Sequence, residues 1–385
     1  MRIDERLKFV VLLGLVSLFG DVVYEGARSI TGPYLASLGA SAATVGFISG
    51  FAEFLGYALR VLSGRLADRN GKPWGTIGFG YCLNLLSVPL LAFTHTWPAA
   101  AALVFAERTG KAIRTPARDM VLADATSDMG RGHGFGLHQT LDQIGAISGP
   151  VLVFFCLSGT HQYSTSFGIL FAPALIALAV LLVARQNAPA PRHTDAAGTP
   201  DTKLSRTFWL YTVAMTCVAI GFVDFPLIAY HLYKHVGVPA ATIPLFYAAA
   251  MAIEMIVAFP LGKLFDKYGT IVLATVTAIG ACAVPLAFAN TAWVTFLGIA
   301  LWGVAIASQN SIVKAKIAEI VPSSHHGRAF GLFGTVYGIG WFVGSTALGL
   351  LYDWNITAMV ALSLGAQLLA LPILQRLLHQ TDPNP

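Results

Sequence analysis

Asp21, Glu25 and Arg28 stand at i, i+4 and i+7 in an otherwise apolar stretch, so a helix stacks them on one face. Two acids against one base leave a carboxylate able to carry a proton, and the competing assignment is a structural ion pair with Arg28. A second apolar stretch carries Glu107, Arg108 and Lys111. These are either counter-ions for Asp21 and Glu25 or a seat for an anionic group of a cargo. The planar fork of Arg108 suits a carboxylate or phosphate, whereas Lys111 acts as a point charge. His138 and Asp142 lie one helical turn apart, beside Gln139 and Gln143, and can share a proton; alternatively His138 is a hydrogen-bonded packing residue.

The elements that carry these groups are membrane-spanning. Hydrophobic residues make up 56% of the 385-residue chain and charged residues 11%, against roughly 25% charged in an ordinary soluble domain. Twelve apolar runs of membrane-crossing length follow one another, at about 9–36, 42–66, 74–94, 97–123, 132–158, 163–184, 207–234, 240–265, 270–289, 292–320, 328–352 and 355–377. They lack the alternation of a barrel strand, and backbone groups in lipid must pair within the segment, so the expected fold is all-α and polytopic. Pro33, Pro150 and Pro226 are read as kinks inside helices. A charge near the bilayer centre costs on the order of 2.5–3.5 kcal/mol on insertion scales, so each ionisable residue above asks for a partner or a task.

Basic residues set the orientation. With the N-terminus inside, Arg2, Arg6, Lys8, Arg65, Arg69, Lys72, Arg118, Arg131, Arg185, Arg192, Lys203, Arg206, Lys263, Lys267, Arg328 and Arg376 share one surface, and Lys234 falls at the other. Both termini are therefore expected in the cytoplasm. The net charge of +5 reports this topology and not nucleic-acid binding. The first helix is too long for a signal-peptide core and is expected to be retained. Cys82, Cys156, Cys217 and Cys282 stand singly, without metal or disulfide spacing, and are read as packing residues. The polar stretch 186–206 is expected to be a cytoplasmic linker between an N-terminal six-helix bundle, 1–185, and a C-terminal one, 207–385.

The halves repeat one another. Gly64-Arg65-Leu66-Ala67-Asp68-Arg69 closes one apolar run, and Gly262-Lys263-Leu264-Phe265-Asp266-Lys267 with Gly269 closes another about half the chain later. Glu53 and Glu254 occupy related places, as do Asp21 and Asp224. Glu53 is expected to pair with Arg60, and Glu254 to be protonated or paired across helices. In the second half Asp224, Tyr230, His231, Trp302, Gln309, Asn310 and Lys314 are the polar and aromatic candidates for a cargo site. Arg114 and Arg118 read as topology or gate residues. Gly145, Gly149 and Pro150, with Gly334, Gly338, Gly340 and Gly344, read as close helix-packing devices.

The stretch from Gly64 through Asp68 and Arg69 to Lys72 resembles the loop between helices 2 and 3 of the major facilitator superfamily, with a weaker copy between helices 8 and 9. The spacing of Gly136, Gly145 and Gly149-Pro150 is similar to the helix 5 string of that superfamily's antiporters. The stretch from Glu107 to Asp119, with Asp21 and Glu25, resembles a prokaryotic branch. The resemblance implies two pseudo-symmetric six-helix bundles around a central cavity lined by helices 1, 4, 7 and 10, and alternating access. It further implies gating by Gly64, Asp68, Arg69, Gly262, Asp266 and Arg118, against the plainer reading of solvated turns.

The functional expectation is a secondary transporter, coupled to protons through Asp21, Glu25, Asp142 or Glu53, that exports a small organic molecule. Its cavity residues would be Arg28, Glu107, Arg108, Lys111, Asp224, His231, Trp302, Gln309, Asn310 and Lys314. Its partners would be a small-molecule substrate, protons and membrane lipid, with no nucleic acid, cofactor or metal, and the chain would act as a monomer in a prokaryotic inner membrane. The alternatives are a symporter or facilitator importing a metabolite and, in another class, a membrane-embedded enzyme or a transporter-like receptor. The sequence contains no phosphate-gripping Gly-x-x-x-x-Gly-Lys-Ser/Thr loop for direct ATP drive.

Overall fold

The computed structural model describes the backbone of residues 3–70, 73–126, 131–188, 204–322 and 325–381, and the side chains of 6–64, 73–126, 136–188, 204–322 and 325–377. These residues form α-helices and, among them, no strand. In order they are α1 (Ile3–Ser37), α2 (Ala42–Asn70), α3 (Pro73–Leu90), α4 (Trp97–Thr126), α5 (Arg131–Thr160), α6 (Tyr163–Gly168), α7 (Phe171–Gln186), α8 (Arg206–Gly221), α9 (Phe225–His231), α10 (Ile243–Tyr268), α11 (Thr270–Ala287), α12 (Ala292–Asn310), α13 (Ile312–Ile320), α14 (His326–Trp354) and α15 (Ile356–Thr381). Most of the linker expected at 186–206 lies outside the described residues.

Eleven stretches among the described residues are long and apolar enough to cross a membrane. Helices α6 and α7 make one stretch, α8 and α9 with the π-helical turn Leu232–Val236 another, and α12 with α13 a third. The remaining run of the twelve is α4, whose 30 residues span about 45 Å at 1.5 Å per residue. It falls short in hydropathy because it carries Glu107, Arg108, Lys111, Arg114, Arg118, Asp119 and Asp124. Phe155, Ile256 and Phe259 are 68%, 71% and 70% exposed, which a chain in water disfavours and lipid accepts. The molecule is an all-α, polytopic integral membrane protein.

Pro33 and Pro150 lie inside α1 and α5, as kinks should. Pro226 differs from its expectation: it begins a new helix. The chain leaves α8 at Phe222 (φ −80°, ψ 124°) and re-enters helix after Asp224, the N-cap of α9, with proline in the first turn where its missing N–H costs nothing. Non-helical backbone at membrane depth needs partners for the groups it frees. Here the Gly221 carbonyl accepts from Ser363 Oγ at 2.5 Å and Gln367 Nε2 at 3.1 Å, both on α15.

The chain divides into two compact units. The first comprises Met1–Tyr34, Ala58–Ala196 and Ala240–Ala248. Within it, small residues bring helices into backbone contact. A Cβ on Gly110 of α4 would lie 2.7 Å from the Gly80 carbonyl and 2.8 Å from Asn84 Cα on α3. A Cβ on Gly149 of α5 would lie 2.9 Å from Val22 Cα and 3.0 Å from Gly26 N on α1.

The second unit comprises Leu35–Tyr57, Ala197–Pro239 and Ala249–Pro385. Its helices α8 and α15 pack together, as do α8 with α14 and α11 with α12. Gly344 of α14 lies directly against the backbone of Ile220, and Gly340 against Thr216. The first turn of α2 is capped by a side chain from α14: Asp353 accepts from the N–H groups of Ala42 at 3.1 Å and Ala43 at 2.8 Å. The turn between α10 and α11 rests on Gly269, whose φ of 59° lies in the left-handed region. Cys82 and Cys282 are exposed and Cys156 and Cys217 half-buried, so of the four expected packing residues the latter two have the closer protein surroundings.

Candidate functional site

The first unit buries a cluster of ionisable groups, and its glycines put them there. The Gly80–Gly110 contact brings α3 and α4 close enough for Asn84, one turn beyond Gly80, to reach across. Asn84 Nδ2 donates to Glu107 Oε1 at 2.8 Å and to the Glu107 carbonyl at 3.1 Å, while Asn84 Oδ1 accepts from Arg114 Nε at 3.3 Å. The other Glu107 oxygen lies 3.3 Å from Arg108 Nε. The Arg114 guanidinium covers the Tyr81 ring at 4.1 Å. Arg114 is 1% exposed, a buried network member, which sets aside the topology half of its expected topology-or-gate role. Its Nη1 and the Tyr81 hydroxyl have no partner among the described atoms.

The Gly145 and Gly149 contacts bring α5 onto α1 at the level of the acids: a Cβ on Gly145 would lie 2.8 Å from Asp21 Cβ. Asp21 and Glu25 are both buried. Asp21 Oδ1 accepts a short hydrogen bond from Tyr24, and Glu25 Oε2 accepts from Tyr247 of α10 at 2.5 Å. Lys111 Nζ lies 3.7 Å above the Tyr24 ring. The charges acting on Asp21 are those of Asp142, Lys111 and Glu25. Thus α1, α4, α5 and the first turns of α10 converge on one pair of carboxylates.

A second chain of contacts runs beside them. His138 Nδ1 lies 3.4 Å from Asp142 Oδ2, the i, i+4 geometry read from the sequence. His138 Nε2 lies 2.9 Å from Ser17 Oγ, and Ser17 Oγ accepts from Arg118 Nη1 at 3.1 Å. Arg118 also holds Asp119 through Nε at 3.0 Å and Nη2 at 2.7 Å. Asp142 Oδ1 is buried with no partner among the described atoms. The string can hand a proton between an acid and an imidazole; its hydroxyl link both donates and accepts.

The second unit is poorer in charge. Asp224 Oδ2 accepts from Trp341 Nε1 and Ser345 Oγ, each at 2.9 Å. Glu254 takes the cross-helix alternative, accepting from Asn310 Nδ2 at 2.7 Å. Gln309 Oε1 accepts from Tyr337 at 2.6 Å and helps to line a small cavity with Thr277, Ser308 and Gln367. His231 and Trp302 are both buried. His231 is 0% exposed and engages Tyr352 at 2.9 Å and the Ala289 carbonyl at 3.1 Å. Trp302 donates to the Val223 carbonyl at 2.8 Å and packs between Phe222 and Phe225. Lys314 is exposed on α13, whereas its neighbour Lys316 is buried and reaches Glu319 at 2.6 Å.

Arg28 and Glu53 are half-buried, on α1 and α2. Gly64 lies near the C-terminal end of α2; Asp68 and Arg69 fall on side chains outside the described residues. Gly262 and the exposed Asp266 lie in the last turns of α10.

The model of the Major Facilitator Superfamily matches residues 13–345 and 225–385. The chain belongs to this superfamily. It is a transporter and not an enzyme. An uncharacterized protein of Mycobacterium tuberculosis is 38% identical over 373 residues, covering 94% of this chain and 91% of that protein. The multidrug resistance protein MdtH of Aeromonas hydrophila is 22% identical over 354 residues, 90% of this chain and 87% of the relative. Among solved structures, a peptide transporter POT in complex with sulfate superposes with a TM-score of 0.76 at 14% identity, covering 97% of this chain and 94% of that one.

Sequence reasoning missed Tyr24, Tyr247, Asn84, Tyr81 and Ser17. Asn84 carried a signal, a lone amide in an apolar run. Tyr247 carried none, since it meets Glu25 across 222 residues of chain.

Proposed function

We propose that this transporter exports a small organic molecule in exchange for protons, by alternating access. The observation that carries the reading is the burial of Asp21 and Glu25 beside Lys111 and Asp142 in one unit. Carboxylates held at membrane depth take up and release protons at a cost set by their neighbours, and a cationic or polar cargo that displaces a proton from them couples the two fluxes. The tyrosine hydroxyls on both acids suit such a cycle, because a hydroxyl donates to a carboxylate and accepts from a carboxylic acid.

Export is supported by the helix 5 glycine spacing and by the name of the multidrug resistance relative. Glu107, Arg108 and Lys111 supply the mixed charge that would meet the cargo, with Asp224, Gln309 and Asn310 from the second half. We place Gly64, Asp68, Arg69, Gly262, Asp266 and Arg118 in the gates, the two six-helix halves at 1–185 and 207–385, and both termini in the cytoplasm. The chain works as a monomer in a prokaryotic inner membrane.

The test compares small molecules inside cells and in the medium for a deletion strain, an overexpressing strain and a strain carrying Asp21→Asn. A compound retained by the deletion strain and released on overexpression, but not by Asp21→Asn, is the expected result. The opposite distribution would make the protein an importer.

A further inference from the structure

Tyr247 belongs to the second half of the sequence by position and to the first unit by contact. It lies in the first turns of α10, in the stretch Ala240–Ala248 that clusters with α1, α3, α4 and α5. It is 1% exposed, and its hydroxyl reaches Glu25 Oε2 at 2.5 Å. This bond ties α10 to a carboxylate that already shares its surroundings with Asp21 and Tyr24 on α1, and with Lys111 on α4. We infer that Tyr247 is a positioning residue through which the first turns of α10 sense the charge on Glu25, bound firmly to α1 when the carboxylate is ionised and loosely when it is protonated.

The physical ground is the asymmetry of the bond. A hydroxyl donating to a carboxylate makes a charge-assisted bond roughly twice as strong as a neutral one. Protonating Glu25, or neutralising it with a cation from the cargo, leaves the ring in its packing and takes away the stronger half of the interaction. Tyr247 is buried at 1% exposure, so the change bears on the helix that carries it. The charged groups acting on this cluster are Asp21 on α1, Glu107, Arg108, Lys111 and Arg114 on α4, and Asp142 on α5. The experiment therefore isolates Glu25.

The inference rests on the proton-coupled reading above, and its test does not require the cargo. Amide hydrogen exchange of the peptide covering 240–255 is followed in lipid nanodiscs for the full-length protein, Tyr247→Phe, Glu25→Gln and the double variant at one pH. The expected result is slower exchange in the unsubstituted protein than in Tyr247→Phe or Glu25→Gln, by about fivefold. The double variant should add nothing to either single one. Equal rates in the unsubstituted protein and Glu25→Gln would overturn the inference. So would a Tyr247→Phe effect of the same size with and without Glu25, which marks a ring that only packs. Peptides from α14 report whether a variant has lost its fold; if Tyr247→Phe has, Glu25→Gln alone decides, by exchanging faster than the unsubstituted protein or at the same rate. Exchange reads the α10–α1 contact and the strain comparison reads transport, so either proposal can fail without the other.

Discussion

Glu107 shows how a charge is kept inside a membrane helix. One oxygen accepts from Asn84 and the other faces Arg108, while Asn84 passes its own carbonyl to Arg114. The amide is the hinge of this network, because it alone both donates and accepts there. Asn84→Leu keeps the bulk and strands Glu107 Oε1 and Arg114 Nε in a dry site. Breaking a buried charged network in this way costs about 3–5 kcal/mol, and the expected outcome is a lower thermal unfolding midpoint in detergent. Adding Glu107→Gln should restore part of the loss, since a neutral amide is less costly to leave unpaired than a carboxylate. The acids and bases of this site were legible as residue types at helical spacing. Their partners were not, because an amide or a tyrosine in an apolar run looks the same whether it packs or binds until the facing helix is known. His138 and Asp142 were legible as a pair since both stand on one helix, whereas Ser17 completes the string from another.

At the scale of elements, the glycines of α5 separate into two kinds that spacing alone treats as one. Gly145 and Gly149 abut the backbone of α1, but Gly136 has open space where a Cβ would stand. Backbone cannot yield to a new side chain as a flexible rotamer can, and overpacking costs about 1–3 kcal/mol or more. Gly149→Val should therefore lower the yield of folded protein sharply, as read by size-exclusion chromatography of a detergent extract. Gly136→Ala should leave it unchanged or raise stability by about 0.5–1 kcal/mol through helix propensity. Similar outcomes for the two would mean that α1 and α5 are not in backbone contact. The same limit explains Pro226. A proline inside an apolar run reads as a kink, and only the freed Gly221 carbonyl, taken by Ser363 and Gln367 of α15, shows that one helix has ended and another begun.

At the scale of the whole molecule, helix number and the all-α class were legible because lipid leaves a chain few choices: length, hydropathy and paired backbone groups fix them. The contact clusters were less so. Leu35–Tyr57 joins the second unit and Ala240–Ala248 the first, and no local pattern marks where α2 or α10 passes from one set of neighbours to another. Orientation is the quantity that sequence argues most directly and that helix packing leaves open. The basic residues divide so unevenly between the two sets of loops that Lys234 stands nearly alone on its side, and positive charge near helix ends is retained in the cytoplasm. A fluorescent protein fused after the last residue should therefore fold and fluoresce, and alkaline phosphatase, active only once exported, should be inactive at that position. The same phosphatase inserted between Lys234 and Ile243, in the connection that follows the π-helical turn, should be active. Activity at the C-terminus with none after Lys234 would invert the molecule. The proton gradient would then act on Asp21 and Glu25 from the other face, and the proposed direction of transport would have to be reversed with it.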